Sequence, residues 1–494
     1  MFHRYFQSDS EQIKENNFEF HSGRAQWVLL AVFLLIRIPW ALSGFGRDGD
    51  DWRIALSARF LLETGFYLPS RSFGYPTVEL GIIPLVNFGW FYVNTLTATI
   101  SFLGVLALSR MLCRNEVKNR GLIVILWAFF PVALDYSAST SDFMWAMSFV
   151  LMAWDAADAN RRKSFIAFMA LAIGSRPTIG LFLFPLAYIL VREDYNKWKE
   201  FLKYFLACCT IAALLYIPAR LRKSVLDVVI ILGNLGRFDP ERLDLAEATI
   251  FAIGEYGLLS SIMLFGASLI SIRSLMRDGV EGFSRDSWLV LASQIPIVIH
   301  HLPYVDKMGY LLPAVMPLLI IVLPHLSKKV CSAVVVVILL EGMVTIHPTA
   351  IVDNDVDFLG PGYALRRLEE RNDFVDLVGE VEELDHNNTV FILGWQHIVF
   401  RWQQDDIEDC KELMPCRNLP QFGHTDRDIH GPTYDSNSNN SYYSVLNQNE
   451  IDQVIQANFT IVYSEVGHSM TMGALGIDLS QIPGAKELGI DWRD

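Results

Sequence analysis

Between residues 27 and 346 one apolar stretch follows another, and that succession limits the chain to few kinds of fold. A helix rises 1.5 Å per residue, so crossing about 30 Å of hydrocarbon takes about twenty residues. By that measure spans are expected at 27–44, 78–109, 121–134, 143–157, 164–175, 178–191, 203–218, 247–272, 287–302, 309–325 and 330–346. The pattern predicts a polytopic α-helical membrane protein with about eleven transmembrane helices. With 52% hydrophobic and 19% charged residues among 494, the chain is too apolar for disorder and too poor in polar residues to clothe a soluble protein of its size. Its six cysteines are too few for a disulfide framework.

Charge divides the chain in two. The net charge is −14, yet residues 347–494 alone hold 26 acids against 9 bases, and the remainder is close to neutral. An excess of this sign argues against nucleic acid as a partner. The layout expected is a cytoplasmic tail at 1–25, a membrane body at 26–346 with an acidic first outer loop at 45–77, and an acidic extracytoplasmic domain at 347–494. Within that last part Thr389–Leu393 and Phe459–Tyr463 predict strands and Glu450–Gln456 a helix, a small α/β domain from about residue 373. The polar run 403–445 reads as a long loop, in which Cys410 and Cys416 form either a local disulfide or two free thiols.

Short basic loops set the orientation. Arg110, Arg114, Lys118 and Arg120 form one, Arg161, Arg162 and Lys163 another, and Arg192, Lys197 and Lys199 a third, with Lys328 and Lys329 a fourth. They alternate correctly if the amino terminus is cytoplasmic, which puts the acidic domain outside a cell membrane. Arg220, Arg222 and Lys223 run against the rule. Asp155 and Asp158 fall at the cytoplasmic end and read as structural.

The richest chemistry follows the first span, in Gly46-Arg47-Asp48-Gly49-Asp50-Asp51-Trp52-Arg53. Three carboxylates in four residues repel one another, which raises at least one pKa unless cations or donors compensate. Such a cluster serves a general base or a site for a divalent cation, although no ligand set of fixed spacing is present. Its plain alternative is a solvated loop with an Asp cap on a helix from Trp52 to Glu63, closed by Gly65. Tyr75 and Glu79 follow in Gly74-Tyr75-Pro76-Thr77-Val78-Glu79, and Asp135 and Asp142 flank the next outer turn. Helix capping is an equally direct account of Asp142. Arg176 lies at membrane depth, where a charge marks a pathway or a partner, and Lys307 with His300 and His301 comes from a third outer loop.

The acidic pair after the first span, the helix ending in Gly-x-Tyr and the Tyr-Pro before the next span resemble the GT-C membrane glycosyltransferases. The similar branch is that of the protein O-mannosyltransferases and aminoarabinose transferases. Ser175-Arg176-Pro177-Thr178 resembles its central helices, and Tyr310-Leu311-Leu312-Pro313 its late Arg-Tyr-Leu-Leu-Pro span. The resemblance implies transfer of a sugar from a polyprenyl-phosphate donor to a glycan, lipid or protein acceptor at the outer face. It makes Asp50 the base with Asp51 beside it, and Asp48 the alternative. From their own chemistry Arg176, Lys307 and His301 are expected to receive the donor phosphate, and Glu79 and Tyr75 to lie on the acceptor side, while parts of the superfamily have a second acidic site where Asp142 stands. Two departures stand out: Asp50-Asp51 replaces the usual Asp-Glu, and Gly309 replaces the Arg before Tyr-Leu-Leu-Pro. Two other functions fit the same body, a transporter or flippase of lipid-linked sugars and a non-catalytic assembly subunit. A transporter calls for internal repeats and charges along a full crossing path. The candidate charges here collect at one face.

Overall fold

The computed structural model describes residues 23–65, 67–71, 74–220, 257–278, 282–301, 308–346, 359–383, 389–394, 433–435, 440–443 and 446–488. The first helix, α1 (Gly23–Leu42), is apolar apart from Arg24, Gln26 and Arg37. Asp48 starts α2 (Gly49–Thr64) by accepting the Asp50 N–H at 3.1 Å, and Gly65 ends it in the left-handed conformation at φ 67°. This is the expected surface helix, begun three residues early. The long span expected at 78–109 is instead two helices, α3 (Pro76–Val86) and α4 (Trp90–Arg114). They are parted at Gly89, whose φ of 94° no helix continues through.

The next span is bent. Residues Arg120–Phe129 form α5 and Pro131–Ser137 form α6, at 54° to each other, because Pro131 lacks the N–H that would continue the ladder. Ser141 accepts the Phe143 N–H and starts α7 (Asp142–Asp158), which is buried along almost its whole length. Around it pack α4 and α8 (Arg162–Ser175). The expected spans 164–175 and 178–191 meet at a break: α8 stops, Pro177–Phe182 makes a tight turn, and α9 (Leu183–Val191) continues. Further along come α10 (Lys197–Arg220), α11 (Leu258–Asp278), α12 (Gly282–Ser293), α13 (Ile295–His301), α14 (Leu312–Val322) and α15 (Lys328–Glu341).

Among the described residues, three helical stretches are long and apolar enough to cross a membrane: Trp90–Arg114, Lys197–Pro218 and Met308–His325. The bent α5–α6 pair is a fourth if it counts as one span. Shorter apolar helices cover Gln26–Leu42, Pro76–Val86, Pro177–Val191 and Leu258–Arg273. The eleven expected crossings therefore do not appear as eleven long helices. Proline and glycine breaks divide several of them, and 247–256 falls outside the described residues.

The basic loops assigned to the cytoplasmic side do gather around acids. Asp155, wholly buried, receives Arg110 at 3.0 Å, Arg114 at 2.8 Å and Arg161 at 2.7 Å, which ties α4, α7 and the start of α8 together. Replacing it with Ala removes the carboxylate shared by three arginines, of which Arg114 keeps Asp158 at 2.8 Å. The expected cost is about 3 kcal/mol of stability, read as a lower melting temperature in detergent.

The polar tail opens with β1 (Val344–Ile346) paired antiparallel to β2 (Leu359–Pro361), then α16 (Tyr363–Glu383). A sheet follows from β3 (Thr389–Ile392), β4 (Thr433–Asp435), β5 (Asn440–Tyr443), β6 (Thr460–Tyr463) and β7 (Lys486–Glu487). Two helices, α17 (Gln448–Gln456) and α18 (Glu465–Leu475), lie on either side of β6 in sequence. Strand order is β4-β5-β3-β6-β7, with only β4 antiparallel to its neighbour. Two expectations need correction. Residues 403–445 are not all loop, since β4 and β5 lie within them; Tyr442 stacks on Phe391 at 5.1 Å and so recruits a polar segment into the sheet. The tail is also structured ahead of residue 373, where the domain was expected to begin, because α16 starts at Tyr363 and packs onto α1 and α6 of the body. Cys410 and Cys416 lie outside the described residues.

Candidate functional site

The three loop carboxylates have three different surroundings. Asp48 is the helix cap, its Oδ1 taken by the Asp50 N–H. Asp50 is ion-paired on both oxygens, Oδ1 with Arg53 at 3.1 Å and Oδ2 with Arg71. Asp51 is 5% exposed, and among the described residues no hydrogen-bond donor reaches its carboxylate. Burial pushes its pKa well above the usual carboxylate range and the charge of Asp48 adds to this, while Arg371 pulls the other way. Gly46 makes the arrangement possible: a Cβ there would stand 1.9 Å from Asp51 Oδ2. Trp52 closes the same turn, donating its indole N–H to the Gly46 carbonyl at 2.9 Å and meeting Phe45 edge-on at 5.2 Å.

Cations form the second part. Arg176, at the break between α8 and the turn Pro177–Phe182, is buried and ion-paired with Asp142 at the start of α7. Its guanidinium lies 3.8 Å over the Phe143 ring and 4.5 Å over that of Tyr310. Arg71 joins this group to the acidic loop. It holds Asp50 on one side, lies 5.5 Å over the Tyr75 ring, and feels the charges of Asp142 and Arg176. Tyr75, just ahead of α3, is buried, and that burial with the nearby Asp142 pushes its hydroxyl up to about 12.

Polar ties hold the loops at 43–48 and 138–141 together. Asn94 of α4 donates to the carbonyls of Ala41 at 3.3 Å and Gly44 at 2.8 Å, and accepts from the Thr140 hydroxyl at 3.0 Å. The Thr140 N–H bonds the Phe45 carbonyl at 2.7 Å. From the tail, Arg371 reaches the carbonyls of Ser43, Gly44 and Ala138 and the carboxylate of Asp135.

Of the residues singled out in the sequence, Asp48, Asp50, Asp51, Tyr75, Asp142 and Arg176 are brought into one neighbourhood. Glu79 is nearby but committed. It is fully buried in α3 and accepts from the Tyr67 hydroxyl and from the Ser70 N–H at 2.9 Å and hydroxyl, so it fastens the loop rather than facing an acceptor. Lys307 lies outside the described residues, as does the side chain of His301. No group of three or more His, Cys, Asp or Glu is placed to hold a metal ion among the described residues.

Sequence reasoning missed Arg71, Asn94, Thr140 and Arg371. Asn94 was readable as a polar residue in an apolar run. Arg71 and Arg371 look like ordinary surface arginines until the loop and α16 fold back. No protein-family model matches the chain, and a search of the curated proteins finds no significant match.

Proposed function

We propose that the chain is a GT-C-like membrane glycosyltransferase, moving a sugar from a polyprenyl-phosphate donor to an acceptor hydroxyl at the extracytoplasmic face. The observation that carries this reading is a buried carboxylate without a donor, Asp51, in the same cluster as two arginines, Arg71 and Arg176. The sequence patches around Asp50, Arg176 and Tyr310 supply the class of donor. Lipid phosphate is a weak base on leaving, so cations serve it better than a general acid.

In this reading the acceptor oxygen attacks the anomeric carbon as the bond from that carbon to the phosphate oxygen breaks. The electron pair leaves on the phosphate, which Arg176 and Arg71 stabilise. The acceptor proton passes to Asp51, whose lone pairs are open, rather than to Asp50, whose two oxygens are already held by arginines. Asp50 then serves to hold Arg71 in place. The aromatic rings of Tyr75, Phe143 and Tyr310 surround the cations and give the sugar a face to rest on.

The direct test is release of polyprenyl phosphate and appearance of glycosylated product when purified protein meets a panel of polyprenyl-phosphate sugars and acceptors. Movement of the lipid-linked sugar across vesicles with no transfer would replace this reading with a transporter. Gly46→Ala offers a sharper check, because its methyl group must displace the Asp51 carboxylate. Transfer is expected to fall roughly a hundredfold, as for a catalytic group misplaced by about 1 Å, with a lower melting temperature from the crowding against Asp51 and the positive φ of Gly46.

A further inference from the structure

We infer that Arg371, carried by α16 of the polar tail, is a positioning residue of the acidic site: it clamps the two loops that present Asp51 and Asp142, and it sets a fixed positive charge beside them. The polar tail is then a working wall of the site and not an appended domain. This rests on the proposed reading for what the site does, though not for the geometry.

The contacts are specific. Arg371 is wholly buried. Its Nε donates to the Ser43 carbonyl at 3.1 Å, and Nη2 donates to those of Gly44 at 3.2 Å and Ala138 at 2.9 Å. Nη1 faces Asp135 Oδ1 at 3.5 Å. Ser43 and Gly44 lead within two residues to Gly46, against which Asp51 sits, and Ala138 opens the turn that ends at Asp142. One planar fork thus joins both loops, a span that the point charge of a lysine does not reproduce.

The rest of the helix agrees. Ala364, Arg367, Leu368, Arg371 and Val375 recur at three- and four-residue spacing, which places them on one face of α16. The Ala364 carbonyl accepts the Trp40 indole N–H at 3.1 Å, and Ala364 and Leu368 join Trp40, Leu134 and Ala138 in a small apolar cluster. Glu370 takes Arg47 of the acidic loop at 2.8 Å and Arg367 of its own helix at 2.7 Å. Val375 stands against Gly44, where an added Cβ would come within 3.2 Å of it.

Several charged and titratable groups face Asp51: Asp48 from its own cap, Asp135 and Tyr136 from α6, Asp142 from α7, and Arg371 from α16, with Arg47 and Glu370 acting on Asp135. Arg371 is the cation of this set that acts directly on Asp51, opposing burial and three acids.

The test uses the full chain in lipid nanodiscs and needs no turnover. Infrared difference spectra follow the protonated-carboxyl band that Asp51→Asn removes, and give the pH midpoint of that group. Arg371→Gln keeps amide donors and loses the charge; it is expected to move the midpoint up by about one pH unit or more. Arg371→Lys keeps the charge but loses the fork, and its midpoint is expected to move less than that of Arg371→Gln. A midpoint that stays put in Arg371→Gln, or moves equally in both variants, overturns the inference, whatever happens to melting temperature. If Arg371→Gln does not fold, Asp135→Asn serves instead: removing that acid is expected to lower the midpoint, and no movement overturns the proposal. Should the band shift as expected while no sugar transfer is found with any donor, the proposed reaction fails and the role of the tail stands.

Discussion

Asp51→Asn is expected to lose sugar transfer by about 10²–10⁴-fold, the usual worth of a positioned base, while the folded protein stays as stable or becomes more so. The second half of that expectation follows from burial. A carboxylate with its folded pKa raised binds protons more readily in the native state than in the unfolded chain. Its stabilising contribution is therefore fully present below the unfolded pKa and is lost as pH rises through the folded one. Once ionised, the buried charge works against the fold, and an uncharged amide of the same shape removes that burden. Transfer by the native protein should show an acid limb above the usual carboxylate range, since the base acts only when deprotonated. Asp50→Asn should lower transfer less, through the loss of an anchor for Arg71. Full activity in Asp51→Asn, measured as product formed from a polyprenyl-phosphate sugar, sinks the assignment.

Arg176→Met is expected to damage both folding and turnover, and a second substitution separates the two. With the arginine gone, the carboxylate of Asp142 is left buried without its partner, at a cost of about 3–5 kcal/mol. Adding Asp142→Asn removes that stranded charge, so the double variant should recover most of the melting temperature. Transfer should remain down by about 10²–10³-fold, because no cation then faces the leaving phosphate at this position. Such non-additivity in stability without recovery of activity is what a double-mutant cycle reads for two contacting groups with different duties. Recovery of transfer along with stability would make the pair a structural bolt only.

Much of this site was legible before any folding, and the limits of that legibility are physical. Asp48, Asp50 and Asp51 announce themselves by density of charge, and Arg176 by standing at a break between two apolar half-helices. Which of the three acids is available for chemistry was not legible. The resemblance to GT-C enzymes points to Asp50, whereas the fold gives Asp50 two arginines and leaves Asp51 with none in contact. Glu79 looked equally promising in sequence, and only the return of Tyr67 and Ser70 onto α3 shows it to be engaged.

By itself the sequence determined the classes of segment: apolar helices in the first 346 residues, an acidic tail with strands near 389 and 460, a capped helix after the first span, and an excess of carboxylates ahead of it. These are local matters, decided by hydropathy, periodicity and capping over a few turns of chain. Tertiary structure alone decided which charges meet. Arg71 comes from a loop twenty residues beyond Asp51, and Arg371 from a helix three hundred residues further on. The electrostatic state of Asp51 depends on distances of a few ångströms within a dry surrounding, and no one-dimensional pattern encodes those distances.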